Sequence, residues 1–213
     1  MIKDIRIPNA SLYVLVLAAE EVMGKNGLIA VFRQGDLGML ITSDDNIKYP
    51  PNNMDKQIPY SLYGKIQQAI EDFYGSRGSR AILMRVGRAN FRYTLHEKPA
   101  LVGLGGVIMK ALPMGTRQKL ILNGSNKAAN DEFHMESILM EEDDTFIMRR
   151  TKCPCQFRQR DKGYGPCDHV TVGSLQEGLK WATGKVFKIR QTRCLNIGDD
   201  VDEFIVNKTP EEG

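Results

Sequence analysis

His134-Met135-Glu136-Ser137-Ile138-Leu139-Met140-Glu141, then Glu142-Asp143-Asp144, then Thr145-Phe146-Ile147-Met148-Arg149-Arg150-Thr151 is the run that decides the fold class. Two apolar-bearing segments flank three acidic residues, which reads as two strands and a turn. Downstream, Val172, Leu175, Leu179 and Ala182 mark a helix from about 170 that Gly184 caps. Val186, Ile189 and Thr192 fit a strand leading to Cys194. Asn196 to Asp200 is a turn, and Glu203 to Asn207 forms a last strand. Upstream the period is helical. The order is helices, then strand, strand, helix, strand, strand. That predicts an α+β fold, with N-terminal helices packed on a C-terminal antiparallel sheet.

Ile5 to Pro8 reads as extended. Asn9 or Ser11 is expected to cap a helix through Met23 that Gly24 ends, followed by a second piece over Asn26–Gln34. Ser43 to Pro59, with Pro50-Pro51 and Asn52-Asn53, is expected to be a loop, long enough to cover something or to move. Leu62, Ile66, Ile70 and Phe73 form one apolar stripe on a helix over Ser61–Tyr74. Gly75-Ser76-Arg77-Gly78 breaks it, and a third helix runs from Ser79 to His96. Leu101 to Met109 is apolar all round and rich in Gly, and a weaker helix follows over Thr116–Ala129. One unit is expected over 1–213, helical over about 9–130 and strand-rich over about 131–207.

The chain has 213 residues, 42% of them apolar and 26% charged, with a net charge of +3. That composition supports a packed core and excludes disorder as the main state. The charge is too mild to point to nucleic acid. The longest apolar runs, Leu12–Ala19 and Ala100–Met109, fall short of the roughly 20 residues of a membrane span. No signal peptide is visible, so the expected compartment is the cytoplasm.

All four cysteines fall in a short interval: Cys153-Pro154-Cys155, Cys167-Asp168-His169 and Cys194. Thiolate and imidazole are preferred zinc donors, and four thiols also suit an iron–sulfur cluster. His169 by itself reads as a surface or helix-cap residue. The Gly-rich apolar run, with Phe91 and Tyr93 before it, reads either as core or as an adaptable pocket wall. Phe91, Tyr93, Leu104, Met109 and Trp181 are the candidate ligand-binding residues. Arg77, Arg80, Arg85, Arg88 and Arg92 read as a solvated helix face. His96 and Glu97 are adjacent, but nothing else supports an acid–base pair. Gly-x-Ser-x-Gly, His-Glu-x-x-His and P-loop patterns are absent, which sets aside the common hydrolases and nucleotide enzymes.

Two stretches carry a resemblance. One is Glu20-Glu21-Val22-Met23-Gly24-Lys25-Asn26-Gly27-Leu28. The other comprises Cys153-Pro154-x-Cys, Cys167, Gly173, Leu175-Gln176-Glu177, Gly184, Cys194 and Ile197-Gly198-Asp199. In order and spacing, over about 9–207, they resemble the 4-vinyl reductase-like, or hydrocarbon-binding, domain proteins. The resemblance implies the fold of the TRAPP vesicle-tethering subunits, a homodimer and a hydrophobic ligand. Relatives sense phenols or are linked to reduction of a vinyl group on bacteriochlorophyll precursors. Zinc ligands carried over from the phenol sensors fall on Cys167, Gln191, Cys194 and Asp202. Gln191 is a poor ligand, so Cys153 and Cys155 are expected to complete the site. The expected centre is Cys153, Cys155, Cys167 and Cys194 around zinc or an iron–sulfur cluster, with His169 or Asp202 as substitutes.

The expected function is a non-enzymatic binding module for a hydrophobic or aromatic molecule, tetrapyrroles included, read out by a partner protein. One alternative is an iron–sulfur redox or vinyl-reductase-type subunit, and another is an assembly scaffold.

Overall fold

The computed structural model describes residues 4–97, 111–160, 163 and 165–211. The elements are β1 (Arg6–Pro8), α1 (Asn9–Gln34), β2 (Lys56–Pro59), α2 (Tyr60–Glu97), α3 (Met114–Asp131), β3 (Ser137–Glu141), β4 (Thr145–Arg150), α4 (His169–Thr183), β5 (Phe187–Arg193) and β6 (Asp202–Pro210). Short 3-10 turns occupy Gly38–Leu40, Pro154–Phe157 and Leu195–Ile197. The architecture is the expected α+β arrangement, helices on an antiparallel sheet.

Two differences in the helical half have physical causes. α1 has no side-chain cap. Its first amides are met by the loop instead: Asn9 N–H donates to Asp55 O and Ala10 N–H to Asn53 O, both at 2.9 Å. The Asn9 side chain donates to Asn53 and Gln57. The expected loop over 43–59 therefore ends in a strand. β2 pairs antiparallel with β1, Ile7 opposite Ile58. In α2 the break is confined to Gly75, and Ser76 to Gly78 remain helical. Gly24 and Gly75 take φ of 73° and 72°, the region open to glycine, so each kinks a helix without ending it.

The four-stranded sheet has the order β3–β4–β6–β5, every pair antiparallel. Its inner face carries Phe146, Met148, Phe187, Ile189, Phe204 and Val206, all buried. They pack on Ile121 and Leu122 of α3 and on Val172, Leu175 and Leu179 of α4. A second core joins α1 to α2 through Leu12, Leu15, Phe32, Ile66 and Ile70. α2 crosses α4 where Gly87 faces the Val170 carbonyl and Gly173 faces the Met84 carbonyl. A Cβ at either glycine would overlap that carbonyl, so the two backbones touch. The expected apolar wall over 101–109 lies outside the described residues. No described helix is long and apolar enough to cross a membrane.

Candidate metal centre and ligand cavity

Three segments bring the thiols together. Cys153 and Cys155 lie on a tight turn that Pro154 starts, where the Cys153 sulfur accepts from Cys155 N–H at 3.2 Å. Cys167 immediately precedes α4, whose N-cap is Asp168. Cys194 immediately follows β5, its N–H held by Asp199 at 2.6 Å. All four are fully or almost fully buried, and none is in a disulfide. The donor atoms of Cys155, Cys167 and Cys194 lie within 4.8 Å of one another, as do those of Cys153, Cys155 and Asp202. Cys167 and Cys194 sulfurs are 3.6 Å apart. Tetrahedral zinc–thiolate geometry places sulfurs about 3.8 Å apart, so that pair is already near the required spacing.

The substitutes separate. Asp202 belongs to the cluster: it is fully buried and accepts from the Cys155 thiol at 3.3 Å. His169 is in neither donor group. Gln191 acts one layer out, donating to Asp202 at 3.1 Å and accepting from Asp168 N–H at 2.8 Å. Burial pushes the Cys153 and Cys155 thiols well above their ordinary value. Hydrogen bonds from Cys155 and Cys167 hold Cys194 far below it. Burial, with Asp168 and the Cys194 sulfur nearby, raises the Asp202 carboxyl to about 7. Crowding acceptors this closely without a cation is costly. A bound metal ion removes that cost.

The cluster is anchored to α2. Arg158 donates to the Cys167 carbonyl at 2.7 Å and to Glu71, and Arg160 donates to Glu71 at 2.8 Å. On the other side, Asp168 accepts from Thr171 N–H and Oγ1, stands 3.7 Å from buried Arg150, and accepts weakly from the Cys153 thiol at 3.8 Å.

A separate cavity of about 170 Å³ lies among α1, α2, α3 and α4. Val14, Phe91, Ile121 and Leu175 give it apolar walls, while Asn90, Ser125 and Ser174 add polar points and Ser11 and Glu132, 3.4 Å apart, a polar corner. Of the expected ligand-binding residues, Phe91 lines it. Tyr93 does not: two positions along a helix turns a side chain to the other side, and Tyr93 packs on the α1–α2 core. Trp181 stands behind Phe91, ring centroids 6.3 Å apart, packed on the sheet core. Leu104 and Met109 lie outside the described residues. Sequence reasoning missed Val14, Ser125 and Ser174. The available signal was Gly124, Ser125 and Ala128, small residues on one face of α3.

The basic stripe is partly spent in pairing. Arg88 donates to Gln176 at 2.9 Å, and Arg92 pairs with Glu21 and Glu177. His96 and Glu97 touch at 3.1 Å on an exposed helix end, away from both sites.

No family model and no curated protein matches the sequence. Solved structures do match in fold. The chain is similar to the Fe(II) unliganded H-NOX protein from K. algicida, at 11% identity over 97% of this chain and 98% of that one, with a TM-score of 0.57. It is similar to a protein described in terms of heme redox potential and protein-induced porphyrin distortion, at 11% identity over 94% and 98%, TM-score 0.54. It is also similar to a trafficking protein particle complex subunit 3 from Naegleria fowleri covalently bound to palmitic acid, at 12% identity over 72% and 95%, TM-score 0.52. The fold is thus one shared by H-NOX structures and a vesicle-trafficking subunit.

Proposed function

We propose that this chain is a binding domain for one small apolar or aromatic molecule, stiffened by a metal ion on Cys153, Cys155, Cys167 and Cys194. The apolar cavity between four helices carries the reading. Its volume, about 170 Å³, is close to that of engineered apolar cavities that take up benzene. Ser11 donates to Glu132 at 3.4 Å on its wall, but none of the described lining residues is a His, Cys or Lys that would complete a catalytic set, which favours binding over catalysis.

The described cavity residues do not suit a tetrapyrrole. The cavity is smaller than ordinary ligand pockets, which start at roughly 300 Å³. None of the described residues lining it is His, Cys or Met. Burial holds the Tyr63 phenol protonated, so it offers no phenolate to iron. Three thiols, those of Cys155, Cys167 and Cys194, stand close enough together to suit zinc or an iron–sulfur centre, and Cys153 adjoins them through Cys155 and Asp202. With zinc, the ion ties the turn after β4, the start of α4 and the end of β5 into one knot. The hydrocarbon-binding resemblance supports the same assignment, and with it a homodimer read out by another protein.

Calorimetry with toluene and indole, together with elemental analysis of the purified protein, tests the proposal. One aromatic molecule and one zinc per chain are expected. Iron and sulfide with visible absorbance would move the thiols to a redox role. Absence of binding together with a metal-free protein overturns both parts.

A further inference from the structure

A second chamber, about 140 Å³, adjoins the apolar cavity. The two share Tyr63, Asn90, Ser125, Ala128, Phe133 and Ser174. The far wall of the second chamber differs in kind: it carries Gln67, Arg150 and Asp168. Gln67 and Arg150 are 2% and 3% exposed. Arg150 spends its terminal nitrogens on Thr171 Oγ1 and Met148 Sδ, but its Nε–H has no partner. Gln67 Oε1 has none either. Buried polar atoms are rarely left unmet, and two on one chamber point to something absent from the chain itself. The Arg150 charge is balanced by Asp168, so the chamber does not call for an anion.

We propose that the ligand is amphipathic and enters head-first. Its head is a neutral group that accepts a hydrogen bond from Arg150 Nε–H and donates one to Gln67 Oε1. Its apolar body lies against Val14, Phe91 and Ile121. Alcohols and primary amides share that head chemistry; hydrocarbons and carboxylates lack it. This inference rests on the proposed binding function and specifies its ligand class.

Four probes with one aromatic body separate the outcomes: toluene, benzyl alcohol, benzamide and benzoate, titrated into the metal-loaded full chain. Benzyl alcohol or benzamide is expected to bind about tenfold tighter than toluene, with benzoate weakest. In Gln67→Leu that preference is expected to fall several-fold, because only the Arg150 Nε–H bond to the head remains. Gln67→Met is the second variant should Gln67→Leu not fold. Toluene binding as tightly as benzyl alcohol and benzamide overturns the head-group proposal and leaves the apolar cavity standing. The same holds for a preference that is undiminished in the variant. Binding of none of the four overturns both.

Discussion

Cys194 closes the thiol cluster from the end of β5, and its sulfur faces those of Cys155 and Cys167. Cys194→Ser is expected to release the metal and lower the melting temperature by on the order of 10 °C. Elemental analysis and a melting curve read both, and no change in either removes Cys194 from the centre. Glu71 is a different kind of residue. It is the shared partner of Arg158 and Arg160, whose side chains are 0% and 3% exposed. Glu71→Ala removes the one carboxylate that buried Arg158 and Arg160 share, and is expected to cost about 3–5 kcal/mol in urea unfolding. A loss under 1 kcal/mol would show that the guanidinium groups find other partners. The thiols were legible in the sequence because cysteine is scarce and four fell close together. Asp202 entered only through a family resemblance. Glu71, Arg150 and Arg158 were not legible, since ordinary charged residues carry no mark of a partner such as Glu71's, 87 positions away.

At the scale of elements, the α2–α4 crossing depends on two glycines. Gly87→Ala or Gly173→Ala forces a methyl group into a carbonyl and is expected to destabilise by about 1–3 kcal/mol. The double variant is expected to cost less than the sum, because one separation of the helices relieves both overlaps. Strict additivity in chemical denaturation would contradict that picture. The long elements were readable: apolar spacing placed the first part of α2 and all of α4, capping residues and glycine placed α1, and Gly184 marked the end of α4, whereas Gly24 and Gly75, read as helix ends, are kinks. Short pairings were not. β2 is four residues long, holds Pro59 and pairs with a strand some fifty positions earlier. The start of α1 misled for the same reason, since backbone carbonyls of a distant loop did the work expected of a capping side chain.

Across the whole molecule, a ligand in the cavity and a metal ion on the thiols would stabilise by separate routes. Toluene at a hundred times its dissociation constant is expected to add about 2.7 kcal/mol, seen as a rise of roughly 5–10 °C in melting temperature. Ala128→Leu fills the cavity floor and is expected to abolish that rise while the ligand-free protein keeps its stability within about 1.5 kcal/mol. A full rise in the variant would place the ligand elsewhere. The sheet order adds a matter of timing. β6 is the last strand along the chain, yet it lies inside the sheet and bonds to both β4 and β5. During synthesis, β4 and β5 therefore emerge with open edges facing a gap, and exposed edges invite pairing with other chains. A nascent chain halted before Asp202 has all four cysteines but only half a seam, so its vulnerable interval falls between the making of β5 and of the strand that fills the gap.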